Sequence, residues 1–408
     1  MPHVIVVGAG ITGITTAYAL LERGHRVTVV ERNRYPAMDT SFANGGQLSA
    51  SNAEVWNSWR TVFKGLGWML RADAPLLLNP RPTWHKYSWL GEFCGQIRHY
   101  RANTIDTVKL ALAARRHLLE IAEREGIAFD LERRGILHLY HDPQSFRTAE
   151  RANALLQEGG LERHPVTESE MLSIEPALKG GLGGGFAGGF FTPSDMTGDI
   201  HKFTSGLAHA CERRGATLMT GHDVSRLDAG PDGVGLSLGR EQALHGDALV
   251  ICAGVASRKF AAMLGDRINI YPVKGYSITV CLPDDASQEA APTVSLLDEG
   301  AKIVTSRLGP DRFRVAGTAE FNGFNRDIRA DRITPLVRWT ERLFPHMSTR
   351  NVIPWAGLRP MTPTMLPRVG RGRRPNVFYN TGHGHLGWTL SAATAQMVAD
   401  TVTEQSGR

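Results

Sequence analysis

The sequence predicts an α/β fold, α+β overall: a parallel-sheet domain assembled from discontinuous segments, and a second domain built on a mostly antiparallel β-sheet. Three observations carry this. A strand–turn–helix–strand unit fills Met1 to Glu31. Two more apolar strands, Ala216 to Thr220 and Leu249 to Ile251, follow long interruptions and have to rejoin that first sheet. Asn269 to Leu282 and Gly300 to Gly317 alternate polar and apolar residues, as strands of an antiparallel sheet do.

The opening unit is the most informative stretch. Val4 to Val7 is a short, mostly β-branched run that reads as a buried parallel strand. It enters Gly8-Ala9-Gly10-Ile11-Thr12-Gly13, and a helical pattern follows with Ile14, Ala17, Tyr18 and Leu21 on one face. Gly24 stops the helix, and Val27 to Val30 is a second strand ending at Glu31. Gly8 permits a tight turn, Gly10 lets the backbone approach a pyrophosphate, and Gly13 lets helix and strand pack closely. The helix N-terminus offers free N–H groups and partial positive charge to that pyrophosphate. Glu31 sits where a carboxylate accepts from both ribose hydroxyls and repels a 2′-phosphate, which disfavours NADP. The unit is Rossmann-type and implies a bound dinucleotide.

A loop from Arg32 to Thr40 leads to Ser41-Phe42-Ala43-Asn44-Gly45-Gly46-Gln47-Leu48-Ser49. This segment returns the chain toward the nucleotide, where a double glycine lets backbone amides touch a flat ring; a simple surface turn is the other reading. Residues 55–93 hold Trp56, Trp59, Trp68, Trp84 and Trp89, interleaved with Lys64, Arg71, Arg81 and Lys86. Such a mixture suits a membrane interface, where rings bury and charges reach headgroups. The favoured reading is core and cavity lining, because Trp also fills ordinary cores.

Helical spacing marks a long helix over residues 102–125, then a strand from Gly135 to Tyr140 and a helix from Ser145 to Glu158. Gly180 to Gly189 is too rich in glycine for a stable helix or normal strand and reads as an irregular connection. A helix over Asp199 to Arg213 follows, and Ala253-Gly254 offers another close backbone approach to the nucleotide. After a helix at Pro335 to Phe344, Trp355 to Pro363 brings the chain back. Val377 to Asn380 is a last strand, and Thr381-Gly382-His383-Gly384-His385-Leu386-Gly387-Trp388 turns into a last helix, Thr389 to Glu404. The grouping expected is 1–54, 160–265 and 350–408 for the nucleotide domain, and 55–159 and 266–349 for the substrate domain.

The 408 residues carry a formal charge of +6 without a Lys/Arg run. Arg368, Arg371, Arg373 and Arg374 are broken by glycine and proline and read as a solvated turn, so no nucleic-acid partner is expected. Cys94, Cys211, Cys252 and Cys281 show neither metal spacing nor a disulfide framework, so a reducing compartment and no metal are expected. The apolar start lacks the positive n-region of a signal peptide, and no uninterrupted apolar stretch suits a membrane span.

By these residues the chain resembles the D-amino-acid oxidase-like FAD-dependent oxidoreductases, and within them the branch of bacterial D-amino acid dehydrogenase small subunits. The matching segments are Val4 to Glu31, Ser41 to Ser49, Leu249 to Gly254, Pro272 to Tyr276, Gly357 to Pro363 and Asn380 to Thr389, in the family's order. Gly-Leu-Arg-Pro-Met-Thr-Pro combined with Asn-Thr-Gly-His-Gly-His-Leu-Gly-Trp-Thr is the specific part. The resemblance implies noncovalent FAD, held by Gly8, Ala9, Gly10, Ile11, Thr12, Gly13, Glu31, Arg32, Ser41, Asn44, Gly45, Gln47, Leu48, Val224, Ala253, Gly254, Arg359, Gly382, Gly384, His385, Leu386, Gly387, Trp388 and Thr389.

It also implies oxidative deamination of a D-amino acid to a 2-oxo acid and ammonia, by hydride transfer from Cα to flavin N5. A quinone or another acceptor then takes the electrons, at a cytoplasmic site peripheral to the inner membrane face. The last helix then aims its positive end at the flavin, which stabilises the anionic reduced ring. Arg359 can grip an α-carboxylate through two parallel hydrogen bonds. Hydride transfer needs orientation more than acid or base, in line with the absence of an obvious catalytic dyad. Tyr276 is expected to close over the substrate, and His383 to contact flavin or substrate unless the backbone merely holds it. Other readings are a cyclic or secondary substrate (D-proline, hydroxy-D-proline, glycine, sarcosine), an oxidase using O₂, and an electron-transfer subunit without amino-acid chemistry.

Overall fold

The computed structural model describes residues 1–68, 75–181, 185–239 and 242–406. Arg71, the side chain of Trp68 and residues 182–184 of the glycine-rich stretch lie outside the described residues.

The first sheet has six strands in the order Arg368–Arg371, Val377–Thr381, Ala248–Ile251, His3–Val7, Arg26–Glu31 and Thr217–Thr220. All neighbours run parallel except the antiparallel edge pair Arg368–Arg371 with Val377–Thr381. Helices Ile11–Glu22, Ile200–Arg213 and Gly387–Ser406 cover one face, where Ile14, Leu207 and Val398 bury completely with Val4 and Val6. Both faces of the central strands are buried, which is why His3–Val7 is apolar in every residue after the first. A three-stranded antiparallel ribbon of Val224–Gly230, Gly233–Leu238 and Gln242–Gly246 packs on the other face.

The second sheet has nine strands. Its long members, Val352–Met361, Tyr271–Cys281 and Arg312–Phe321, lie side by side and antiparallel. Helix Ala330–Leu343 covers the face formed by Tyr276, Ile278, Phe313 and Val315. His164–Val166, Gly188–Thr192 and Val352–Met361 also belong to this sheet, although the sequence grouping assigns them to the first. Gly188–Thr192 pairs with Ile136–Tyr140 and Val352–Met361 with Tyr271–Cys281, and pairing rather than neighbourhood in sequence decides which sheet a strand joins.

Gly188 and Gly189 are in a regular strand, contrary to the irregular connection expected. Gly188 takes φ +144°, and a Cβ there would come 3.0 Å from the Phe146 ring; one at Gly189 would come 2.7 Å from the His138 carbonyl oxygen. Glycine is used here for close packing of a strand rather than for a bend.

The tryptophans of residues 55–93 divide. Trp89 is buried, and Trp56 stacks on His385 with centroids 4.8 Å apart. Trp59 and Trp84 remain 58% and 84% exposed. Among the described residues no helix is long and apolar enough to cross a membrane.

Candidate active site

One cavity of about 1330 Å³ lies where the C-terminal ends of the first sheet's parallel strands meet the second sheet. Its wall includes Gly8, Gly10, Ile11, Thr12, Glu31, Arg32, Ser41, Asn44, Gly45, Gln47, Val224, Ala253 and Gly254, together with Arg359 and Gly382 to Thr389. Three of the expected contacts stand behind the wall instead. The Ala9 amide donates to Glu31 Oε2 at 2.8 Å. A Cβ at Gly13 would lie 1.8 Å from the Gly8 carbonyl oxygen, so this glycine serves helix–strand packing. Leu48 is core.

The nucleotide end is built by the opening unit. Gly8 has φ +105°, and a Cβ on it would press 2.7 Å from the Cys252 carbonyl oxygen. Gly10 caps helix Ile11–Glu22 without any side-chain hydrogen bond, and Ser41 Oγ accepts from the Ile11 amide at 3.0 Å. Glu31 is held by the Ala9 amide and by the amide and side chain of Asn33, at 2.7–2.8 Å. A carboxylate on the cavity wall, beside a helix start capped by glycine without a side-chain bond of its own, suits the ribose and pyrophosphate of a dinucleotide.

Ala43 to Gly46 is not a surface turn. Ser277 Oγ donates to the Ala43 carbonyl at 2.8 Å, Arg314 Nη1 to that of Asn44 at 3.0 Å, and Ser306 Oγ to that of Gly45 at 2.6 Å. A Cβ at Gly45 or Gly46 would meet Val304 or Ser306 at 2.6 and 2.8 Å. The double glycine therefore seats the loop on the second sheet, next to the cavity. Gln47 turns its side-chain amide toward Ser295 Oγ, at 2.8 Å.

The last turn closes the opposite wall. His383 Nε2 meets Thr394 Oγ1 at 2.9 Å, and burial pulls this imidazole down to about 3, so it is neutral at ordinary pH. His385 Nε2 donates to the Asn52 carbonyl at 3.2 Å, and burial pulls its pKa to about 4. The Trp388 side chain is 2% exposed and packs edge-on to Phe129 in the core.

Arg359 differs from all of these. Among the described residues its guanidinium makes one hydrogen bond, Nη1 to the Thr318 carbonyl at 2.8 Å. Among the described residues no carboxylate stands within ion-pair distance of it. Burial lowers its pKa to about 10, which still leaves it charged at neutral pH. A cation facing a cavity with donors to spare is a receptor for an anion.

Tyr276 does not complete this receptor. Val273 pairs with Arg359 and Tyr276 with Ala356, so alternation puts Tyr276 and Arg359 on opposite faces of the sheet. The Tyr276 hydroxyl donates to buried Glu320 at 2.7 Å, and the ring packs in the core under helix Ala330–Leu343. Several wall residues carry no sequence signal: Thr318, Glu54 with its 2.5 Å bond from the Tyr100 hydroxyl, and His138 bonded to Ser51 at 2.9 Å. Trp355 is also on the wall, and Trp-Ala-Gly-Leu-Arg spaces it on the face of Arg359.

The DAO family profile, described as FAD dependent oxidoreductase, matches residues 3–401. The chain belongs to that family. D-amino acid dehydrogenase 3 of Mesorhizobium japonicum is 63% identical over 98% of this chain and 97% of its own length. A D-amino acid dehydrogenase of Paramagnetospirillum magneticum is 40% identical over 98% of this chain and 94% of its own. Among solved structures, glycine oxidase from Geobacillus kaustophilus superposes with a TM-score of 0.74 at 22% identity, covering 99% and 95% of the two chains. L-proline dehydrogenase from P. horikoshii gives 0.76 at 17%, covering 99% and 93%. These two show the fold. As a DAO-family oxidoreductase the chain takes FAD, and Glu31 and the Gly10 helix start fit its ribose and pyrophosphate.

Proposed function

We propose that this DAO-family enzyme oxidises a D-amino acid to the imino acid, which water converts to the 2-oxo acid and ammonia. The observation that carries the reading is the uncompensated Arg359 guanidinium on the cavity wall, the group an α-carboxylate needs. The names of the 63% and 40% identical relatives support the D-configuration. FAD, when bound, supplies the two-electron acceptor, and a quinone or another acceptor rather than oxygen reoxidises it. The chain's own part is to fix the substrate: Arg359 holds the carboxylate, and the Thr318 carbonyl holds Arg359. The flavin is noncovalent in this reading. Cys252, the cysteine on the wall, is buried with its thiol against Thr16 Oγ1 and its pKa pushed up to about 12.

An anaerobic absorbance spectrum tests this. Flavin bands should bleach with D-amino acids and not with their L-enantiomers, and denaturation should release the flavin. Bleaching by glycine or D-proline alone would move the substrate class to the cyclic or secondary amines. Bleaching by none would leave an electron-transfer role. Arg359→Ala should raise KM about a hundredfold, on the order of 3 kcal/mol; a change within twofold would remove the carboxylate assignment.

Peripheral membrane contact is the second part of the proposal. Exposed Trp59, Phe63 and Trp84 favour it, at 58%, 67% and 84%. Anionic liposomes should sediment the protein at low salt and less so at high salt. Failure to sediment at low salt would leave these rings without a membrane role.

A further inference from the structure

Trp355, Gly357 and Arg359 alternate on one strand and so point to one face of the second sheet, the face of Arg359. Gly357 is the direct cross-strand partner of Gly275, and Trp355 that of Ser277. A Cβ on Gly275 would stand 2.4 Å from Cζ, Nη1 and Nη2 of Arg359 alike. Equal distances to three atoms mean that the guanidinium lies flat over the bare glycine. A Cβ on Gly357 would stand 2.1 Å from Trp355 Cη2 and 2.8 Å from Cζ2 and Cζ3. The benzenoid half of the indole therefore covers the second glycine.

Side chains of directly opposed residues are about 5 Å apart. The guanidinium and the indole thus lie side by side on a floor cleared of Cβ atoms, and both line the cavity. Ser277, on the same face, holds Ala43 of the loop that borders the nucleotide end.

Resting on the reading of Arg359 as the carboxylate site, we propose that Trp355 is a specificity-determining residue: Arg359 takes the carboxylate, and the Trp355 indole takes the hydrocarbon attached to it. The β- and γ-carbons of an amino acid lie within about 4 Å of its carboxylate carbon, the spacing this floor provides. The substrate class selected is a D-amino acid with an uncharged hydrocarbon side chain. Glycine leaves the indole uncovered, and D-aspartate sets a second carboxylate against an apolar ring.

Simple carboxylic acids separate this inference from the reading beneath it. The probes are acetate and pentanoate, titrated into the FAD-loaded enzyme and followed by the flavin difference spectrum. In the wild type pentanoate should bind more tightly than acetate. Trp355→Ala should reduce that preference about tenfold. Gly357→Ala should do the same, because the added methyl lifts the indole, and it decides the matter should Trp355→Ala not fold. Arg359→Lys should weaken both acids together and keep their ratio. An unchanged pentanoate-to-acetate ratio in FAD-loaded Trp355→Ala and Gly357→Ala would overturn the inference and leave Arg359 standing. Loss of FAD from both variants at saturating FAD would make the indole part of the flavin seat and would also overturn it. Failure of both acids to bind the wild type would defeat the Arg359 reading itself.

Discussion

Thr318 shows what one residue contributes at this site. It is β-branched yet takes φ +63°, a conformation such residues rarely adopt. The reason is a bulge: Lys274 pairs with Glu320 but Tyr276 with Gly317, so one strand carries an extra residue. The bulge turns the Thr318 carbonyl to Arg359, while its own hydroxyl is buried without a partner among the described residues. Strain of this kind persists where surrounding structure enforces it. Thr318→Gly should therefore stabilise the fold by about 1 kcal/mol while weakening carboxylate binding, because the bulge loses its stiffness. Thermal denaturation beside a KM measurement checks this; a less stable variant would show that Thr318 is not strained. Gly-Leu-Arg-Pro-Met-Thr-Pro points to Arg359 through its family resemblance, and the cavity wall includes that residue. Local sequence does not carry the face that Tyr276 takes: this depends on register with a partner some eighty residues away, which sets the ring in the core although the residue borders the cavity.

At the scale of elements, the turn Gly382 to Gly387 and the helix behind it form a unit that depends on neutral histidines. Burial lowers His383 to about 3 and His385 to about 4, from 6.5. As pH falls, the unfolded chain takes up these protons before the folded one. Their stabilisation is thus complete above about pH 6.5 and is lost as pH falls through the folded values, at up to about 1.4 kcal/mol per pH unit for each ring. Urea midpoints between pH 7 and pH 4 should fall accordingly, and His383→Asn should flatten the slope; an undiminished slope would mean that His383 is not the proton acceptor. The strand–glycine–helix–strand unit and the long helix Tyr100–Glu125 were readable from periodicity alone. The strand Gly188–Thr192 was not, because its glycines answer to Phe146 and His138, which only the folded sheet brings near.

Across the whole molecule, the two sheets are joined over the nucleotide end by a clasp. Arg326, in the loop after strand Arg312–Phe321, makes two hydrogen bonds to Asp39 at 2.9 and 3.0 Å, and Arg32 reaches the same carboxylate. These groups are partly exposed, which limits the clasp to about 1 kcal/mol. Arg326→Ala should raise the dissociation constant for FAD about three- to fivefold at low salt and reduce its dependence on salt, as reconstitution titrations would show; unchanged affinity would confine the pair to surface decoration. The strand order has a separate consequence, in the time taken to make the chain. His3–Val7 is flanked on one side by Arg26–Glu31, synthesised within seconds, and on the other by Ala248–Ile251. At 5–20 residues per second the ribosome supplies that second neighbour roughly 10 to 50 s later, and Val377–Thr381 later still. Throughout that interval a strand apolar from Val4 to Val7 keeps one edge open to any other nascent chain. Yield on overexpression should therefore depend on crowding of unfinished chains and on chaperone supply, with FAD able to lock the sheet only once its late strands have emerged.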